Sequence, residues 1–74
     1  MNSPDISVVV PLYNEEQSLP ELTAWIDRVA RDHGLSYEII FVDDGSSDGS
    51  WDVIGQLRQQ FPAVRAIGFA RNYG

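Results

Sequence analysis

Seventy-four residues make at most one small domain, and a chain this short buries little more than half of its unfolded surface. Hydrophobic residues make up 43% and cysteine is absent, which fits a globular chain and excludes a disulfide framework or a thiolate metal site. A net charge of −6, with five arginines and no lysine, excludes the basic footprint of nucleic-acid binding and a polybasic membrane patch.

Met1-Asn2-Ser3-Pro4-Asp5 carries no positive side chain, and the apolar run behind it is short. No signal peptide or membrane span is expected, and the expected location is cytoplasmic. Ile6-Ser7-Val8-Val9-Val10 is β-branched and nearly continuous, the pattern of a strand buried on both faces in a parallel sheet. Pro11, which has no N–H to donate, is expected to stop it. A loop follows, and then Ser18-Leu19-Pro20-Glu21 reads as a capping box with proline in the first turn. Leu22, Trp25, Ile26, Val29 and Ala30 recur at helical spacing, and Gly34 closes the helix. His33, near that end, reads as a cap-region residue, because no partner ligands stand at metal-site spacing.

Tyr37 to Val42 forms the second expected strand. Ser47 or Asp48 caps a second helix, whose apolar face carries Trp51, Ile54, Leu57 and Phe61, and Pro62 closes it. Trp25, Trp51 and Phe61 are expected in the core. Ala63 to Phe69 is the third strand, and Ala70 to Gly74 an irregular tail. The order β-α-β-α-β, with crossovers of βαβ length, predicts α/β architecture: three parallel strands in order 3-2-1, with helices packed on the sheet. Strand 1 is then an exposed hydrophobic edge, so either another strand belongs beside it or the chain forms a homo-oligomer through it.

The most informative stretch is Phe41-Val42-Asp43-Asp44-Gly45-Ser46-Ser47-Asp48-Gly49, where an apolar strand ends in two adjacent carboxylates. Open α/β sheets bind ligands in the crevice beyond the carboxyl ends of their strands. A dinucleotide fingerprint is excluded, because Pro11-Leu12-Tyr13-Asn14-Glu15 stands where glycines are needed. A phosphate loop is excluded by the lack of lysine. Asp44, Ser46, Asp48 and Gly49 match positions 1, 3, 5 and 6 of a calcium loop, but position 12 is Gly55 where a glutamate is required.

A solvated turn with a helix cap accounts for Ser46, Ser47 and Asp48. It does not suit Asp43, which continues a buried strand. Tyr13-Asn14-Glu15 after strand 1, Asp43-Asp44 after strand 2 and Ala70-Arg71-Asn72 after strand 3 share one rim of the predicted sheet. An aromatic ring can stack on a base, carboxylates can accept from a base N–H or a ribose hydroxyl, and an arginine can meet phosphate. Plainer readings stand beside these. Tyr13 can pack on the sheet end, Asn14 can shape its loop, and Arg71 can pair with Asp43 or Asp44.

Val8 to Glu16, Ile40 to Gly49 and Phe69 to Gly74, in that order and spacing, resemble the start of a family 2 glycosyltransferase with the GT-A (Rossmann-like) fold. The similarity is greatest to the dolichyl-phosphate mannose synthase and bactoprenol glucosyltransferase branch. It implies inverting transfer of a sugar from a nucleoside diphosphate donor, with a polyprenyl phosphate as the branch's candidate acceptor. It further implies Mg²⁺ or Mn²⁺ at the diphosphate, and a place at the cytosolic membrane face for the full-length protein.

By position, Pro11, Tyr13, Asn14, Glu15, Asp43, Asp44, Gly45 and Arg71 are the nucleotide-binding candidates, with Asp44 toward the base and Asp43 supporting the site or the base–ribose end. The family's D-x-D metal motif, catalytic base and acceptor site have no counterpart in the sequence. Residues 1–74 are therefore expected to be the N-terminal nucleotide-recognition part of a longer domain, inactive alone, with no catalytic or metal-ligating residue. The alternative is a non-catalytic, self-associating nucleotide-binding module.

Overall fold

A computed structural model describes residues 3–46, 48–68 and 71–73. The elements run β1 (Ile6–Leu12), α1 (Leu19–Asp32), β2 (Tyr37–Asp43), α2 (Ser50–Gln60), β3 (Val64–Gly68) and β4 (Arg71–Tyr73). They form one sheet in the order β1-β2-β3-β4. β1 pairs with β2, and β2 with β3, in parallel, as the sequence predicts. β4 is an addition: Ala66, Ile67 and Gly68 pair antiparallel with Tyr73, Asn72 and Arg71, where an irregular tail is expected. Two residues between the strands are enough for a hairpin, and the sequence there carries no Asn-Gly or Asp-Gly signal. Ser47 as a cap, Phe69 as a strand residue, and Ala70 and Gly74 lie outside the described residues.

Pro11 does not end β1. The strand runs on to Leu12, with Pro11 opposite Val42 and Leu12 opposite Asp43. Ile6 N–H donates to Ser36 O, and Leu12 O accepts from Asp44 N–H, so the even-numbered residues of β1 turn their backbone groups toward β2. The odd-numbered ones, Pro11 included, turn theirs away. The missing N–H therefore falls on the free edge, where proline is tolerated in a sheet.

The strands are also not buried on both faces. Along β2, Ile39, Phe41 and Asp43 are buried while their neighbours Glu38, Ile40 and Val42 are only half-buried. Leu12, Leu19, Ile39, Phe41, Ile54, Leu57, Val64 and Ala66 form the core, which places both helices on one face. The opposite face carries Val9, which is 61% exposed, and Ile67, beside a polar ladder. In that ladder Glu38 accepts from Ser7 Oγ at 2.6 Å and from Arg65 Nε at 3.2 Å.

α1 starts after Ser18 and has proline in its first turn, but Ser18 makes no side-chain capping bond. Gly34 takes φ 65° just beyond the C-cap His33, the left-handed closure that glycine favours. His33 Nδ1 lies 2.9 Å from Val29 O. Trp51 and Phe61 pack against the core. Trp25 does not: it is 56% exposed and lines an apolar groove of about 440 Å³ with Val8, Val10, Leu22 and Ile26. α1 overhangs β1, and β1 is an edge strand, with no element beyond it among the described residues to complete that wall. Farther along α1, Asp27 accepts from Tyr37 Oη at 2.6 Å and pairs with Arg31, fastening the helix to β2.

Candidate functional site

The carboxyl ends of the parallel strands carry two loops, residues 13–18 after β1 and 44–49 after β2. Their bases are joined by Asp44 N–H donating to Leu12 O at 3.0 Å. Asn14 adopts φ 53° and Gly45 φ 82°. These are the two left-handed turns that let the chain leave the sheet sharply; asparagine and glycine are residues that tolerate them.

Asp43, the last residue of β2, is 3% exposed. Its Oδ1 accepts the Ser46 N–H at 2.8 Å. Its Oδ2 is buried and has no hydrogen-bond partner among the described residues. Leaving a buried acceptor unpaired costs about 1–3 kcal/mol, and such atoms in native folds call for an explanation. Asp44, one residue on, is exposed. Adjacent strand residues point to opposite faces, so the two carboxylates do not share one environment: Asp43 faces the helical layer and Asp44 is open to solvent.

The two loops are laced together by side chains. Asn14 N–H donates to Ser46 Oγ at 2.8 Å, Glu15 N–H to Ser50 Oγ at 3.0 Å and Glu16 N–H to Asp48 Oδ2 at 3.4 Å. In return, Asp48 N–H donates to Asn14 Oδ1 at 3.2 Å. Ser50 closes the set, donating from N–H at 2.9 Å and from Oγ at 2.6 Å to Asp48 Oδ1. The Ser50 hydroxyl bond, followed by the backbone bonds, holds the Asp48 carboxyl below its ordinary value.

Asp48 thus stands beside the start of α2, as expected of a cap, but the N-cap itself is Gly49. A Cβ on Gly49 would lie 2.6 Å from Glu16 Oε2, so the glycine leaves space for that carboxylate against the helix start. Negative charge is favoured there.

Of the sequence-predicted site residues, Pro11 is exposed on the β1 edge, and Tyr13 is 58% exposed rather than packed on the sheet end. Asn14 is engaged in shaping its loop. Glu15 is exposed and held by its backbone. Asp43, Asp44 and Gly45 sit at the end of β2. Arg71 lies in β4, with its backbone paired to Gly68 at the same rim; its side chain is outside the described residues. The sequence reads Ser46 and Asp48 as local turn and cap residues, and Ser50 carries no expectation of its own. In the fold their oxygens reach 32 to 35 residues back along the chain. Their alternation at i, i+2, i+4 beyond a strand is the one signal for this, and nothing local tells which backbone it serves. Among the described residues, no three His, Asp or Glu side chains come together as a metal site.

An open sheet with parallel β1-β2-β3, helices on one face and polar loops at the strand ends is a Rossmann-like α/β arrangement, and corresponds to part of a GT-A fold. The chain belongs to glycosyl transferase family 2, whose sequence model matches residues 7–74. It is 44% identical over 70 residues to the undecaprenyl-phosphate 4-deoxy-4-formamido-L-arabinose transferase of Pseudomonas paraeruginosa, covering 93% of this chain and 21% of that protein. The transferases of the same name from Klebsiella pneumoniae (strain 342) and Salmonella paratyphi B are 43% and 40% identical, with the same coverage. The chain therefore spans about one fifth of the length of the curated relatives it matches. No helix among the described residues is long and apolar enough to cross a membrane.

Proposed function

We propose that residues 1–74 are the nucleotide-recognition part of an inverting glycosyltransferase that moves a sugar from a nucleoside diphosphate donor to a polyprenyl phosphate. The observation that carries this reading is Asp43 Oδ2, a buried acceptor at the strand-end rim without a donor among the described residues. A base N–H or a ribose hydroxyl supplies the missing donor. The exposed Tyr13 ring offers a stacking face and the exposed Asp44 a second acceptor. The relatives' names, undecaprenyl-phosphate transferases, support a lipid-linked acceptor, and the proposed working place is the cytosolic membrane face. Arg71, whose backbone lies at the same rim, is a candidate to contact the nucleotide.

The divalent cation implied by the family does not fit the residues described here. Asp43 has one free oxygen, Asp48 is committed to Ser50 and Glu16, and no third ligand joins them. No step is therefore routed through a metal on this chain. A catalytic base is likewise not assigned to it. The chain supplies recognition: it fixes the nucleotide end of the donor so that the sugar-bearing end is presented elsewhere.

Titrating UDP, GDP and dTDP against the chain and following amide shifts around Asp43 tests the binding half of this reading. Perturbation of Asp44 and Tyr13 by one of them is expected, and flat titrations with all three refute it. Sugar transfer by the 74-residue chain alone would refute the division of labour. A non-catalytic, self-associating module is the second reading, favoured by the exposed Val9 and Ile67 on the bare face; sugar transfer by the full-length protein would rule it out.

A further inference from the structure

We propose that Ser46, Asp48 and Ser50 are positioning residues for nucleotide recognition, a polar clamp that sets the geometry of Tyr13-Asn14-Glu15. The proposal rests on the nucleotide reading above and adds to it residues that do not themselves touch the ligand. Three consecutive backbone N–H groups, those of Asn14, Glu15 and Glu16, each donate to a side-chain oxygen of the opposite loop or of the first residue of α2. Consecutive donors all claimed from one side leave the loop a single backbone path.

Packing cannot supply that constraint. Leu12 and Leu19 are buried at the two ends of the loop, while every residue from Tyr13 to Ser18 is exposed or half-buried. Ser50 is 0% exposed, and its hydroxyl is used in both senses: it accepts from Glu15 N–H and donates to Asp48 Oδ1. Replacing it takes the acceptor from the Glu15 N–H and relaxes Asp48 together. Ser46 extends the clamp to the recognition carboxylate. Its N–H holds Asp43 Oδ1, and its Oγ holds the Asn14 N–H. The buried acceptor and the aromatic loop are thus tied through one residue, so that displacing the loop alters the space in front of Asp43 Oδ2.

The test measures UDP, GDP and dTDP affinity and melting temperature of the same chain for the wild type, Ser50→Ala, Ser50→Thr, Ser46→Ala and Asp48→Asn. Ser50→Ala is expected to weaken binding of the preferred nucleotide about tenfold, the effect of losing one such hydrogen bond. Ser50→Thr, which keeps the hydroxyl, is expected to bind like the wild type. Ser46→Ala, at a half-buried position, is expected to weaken binding with little change in melting temperature, which a purely structural role would not produce. If Ser50→Ala fails to fold, Ser46→Ala and Asp48→Asn carry the test. Wild-type affinity in all folded variants overturns the clamp and leaves the nucleotide reading standing. If the wild type binds none of the three nucleotides, the reading fails and the clamp fails with it.

Discussion

Asp43 and Asp44 are neighbours in sequence with opposite surroundings, and the proposed recognition role rests on that difference. Asp43 is fixed by the Ser46 N–H on one oxygen and, among the described residues, unpaired on the other; Asp44 is exposed. Asp43→Asn keeps the size and one carbonyl oxygen, but it puts an NH₂ donor where either the Ser46 N–H or the ligand donor needs an acceptor. We expect this substitution to shift stability by no more than about 1 kcal/mol, because the unpaired carboxylate already carries a penalty. Nucleoside diphosphate binding should fall at least tenfold. Chemical denaturation with a parallel titration measures both, and a variant that binds like the wild type would remove Asp43 from the site.

At the scale of elements, α1 is fastened to β2 by the Tyr37 hydroxyl on Asp27. Burial, then the hydrogen bond to Asp27, raises the Tyr37 hydroxyl from 10.0 to about 12. The folded state holds this proton more tightly than the unfolded chain. The contribution is therefore complete below pH 10 and is lost as pH climbs from 10 toward 12. Tyr37→Phe should cost about 1 kcal/mol at neutral pH and should flatten the alkaline fall in melting temperature. An unchanged alkaline limb would rule the pair out as its cause.

Much of this level was legible in the sequence. Val8, Ile39 and Phe41 announce strands by β-branched and aromatic runs, Leu22 to Ala30 a helix by period, and Gly34 its end. What was not legible depended on distance. Whether Pro11 stops a strand depends on which side its missing N–H faces. Whether Trp25 is core depends on what lies beyond β1. Whether Ser50 is a first-turn serine or a clamp depends on a loop 35 residues away. β4 depends on a partner strand that carries no strong local turn signal.

Among the described residues, helices cover the sheet on one side only. Val9 and Ile67 on the bare face, and Trp25 over the groove, are exposed apolar side chains available for contact. We expect concentration-dependent self-association of the isolated chain. Val9→Lys, which places a charge on an edge strand without touching the buried face, should return it to a monomer. Analytical ultracentrifugation of both forms checks this. A monomeric wild type at high concentration would mean that the open surfaces do not pair with each other.

Pro11 gives that edge a built-in asymmetry. Because the odd-numbered residues of β1 face outward, a neighbouring strand meets N–H groups at Ser7 and Val9 but only a carbonyl at Pro11. Pairing can therefore be complete at the amino end of β1 and must lapse near its carboxyl end, one step before Tyr13. Whatever strand comes to lie there, from this protein or another copy, is dissuaded from zipping up to the rim. The mouth beside Asp43 stays clear of backbone even when the edge is occupied.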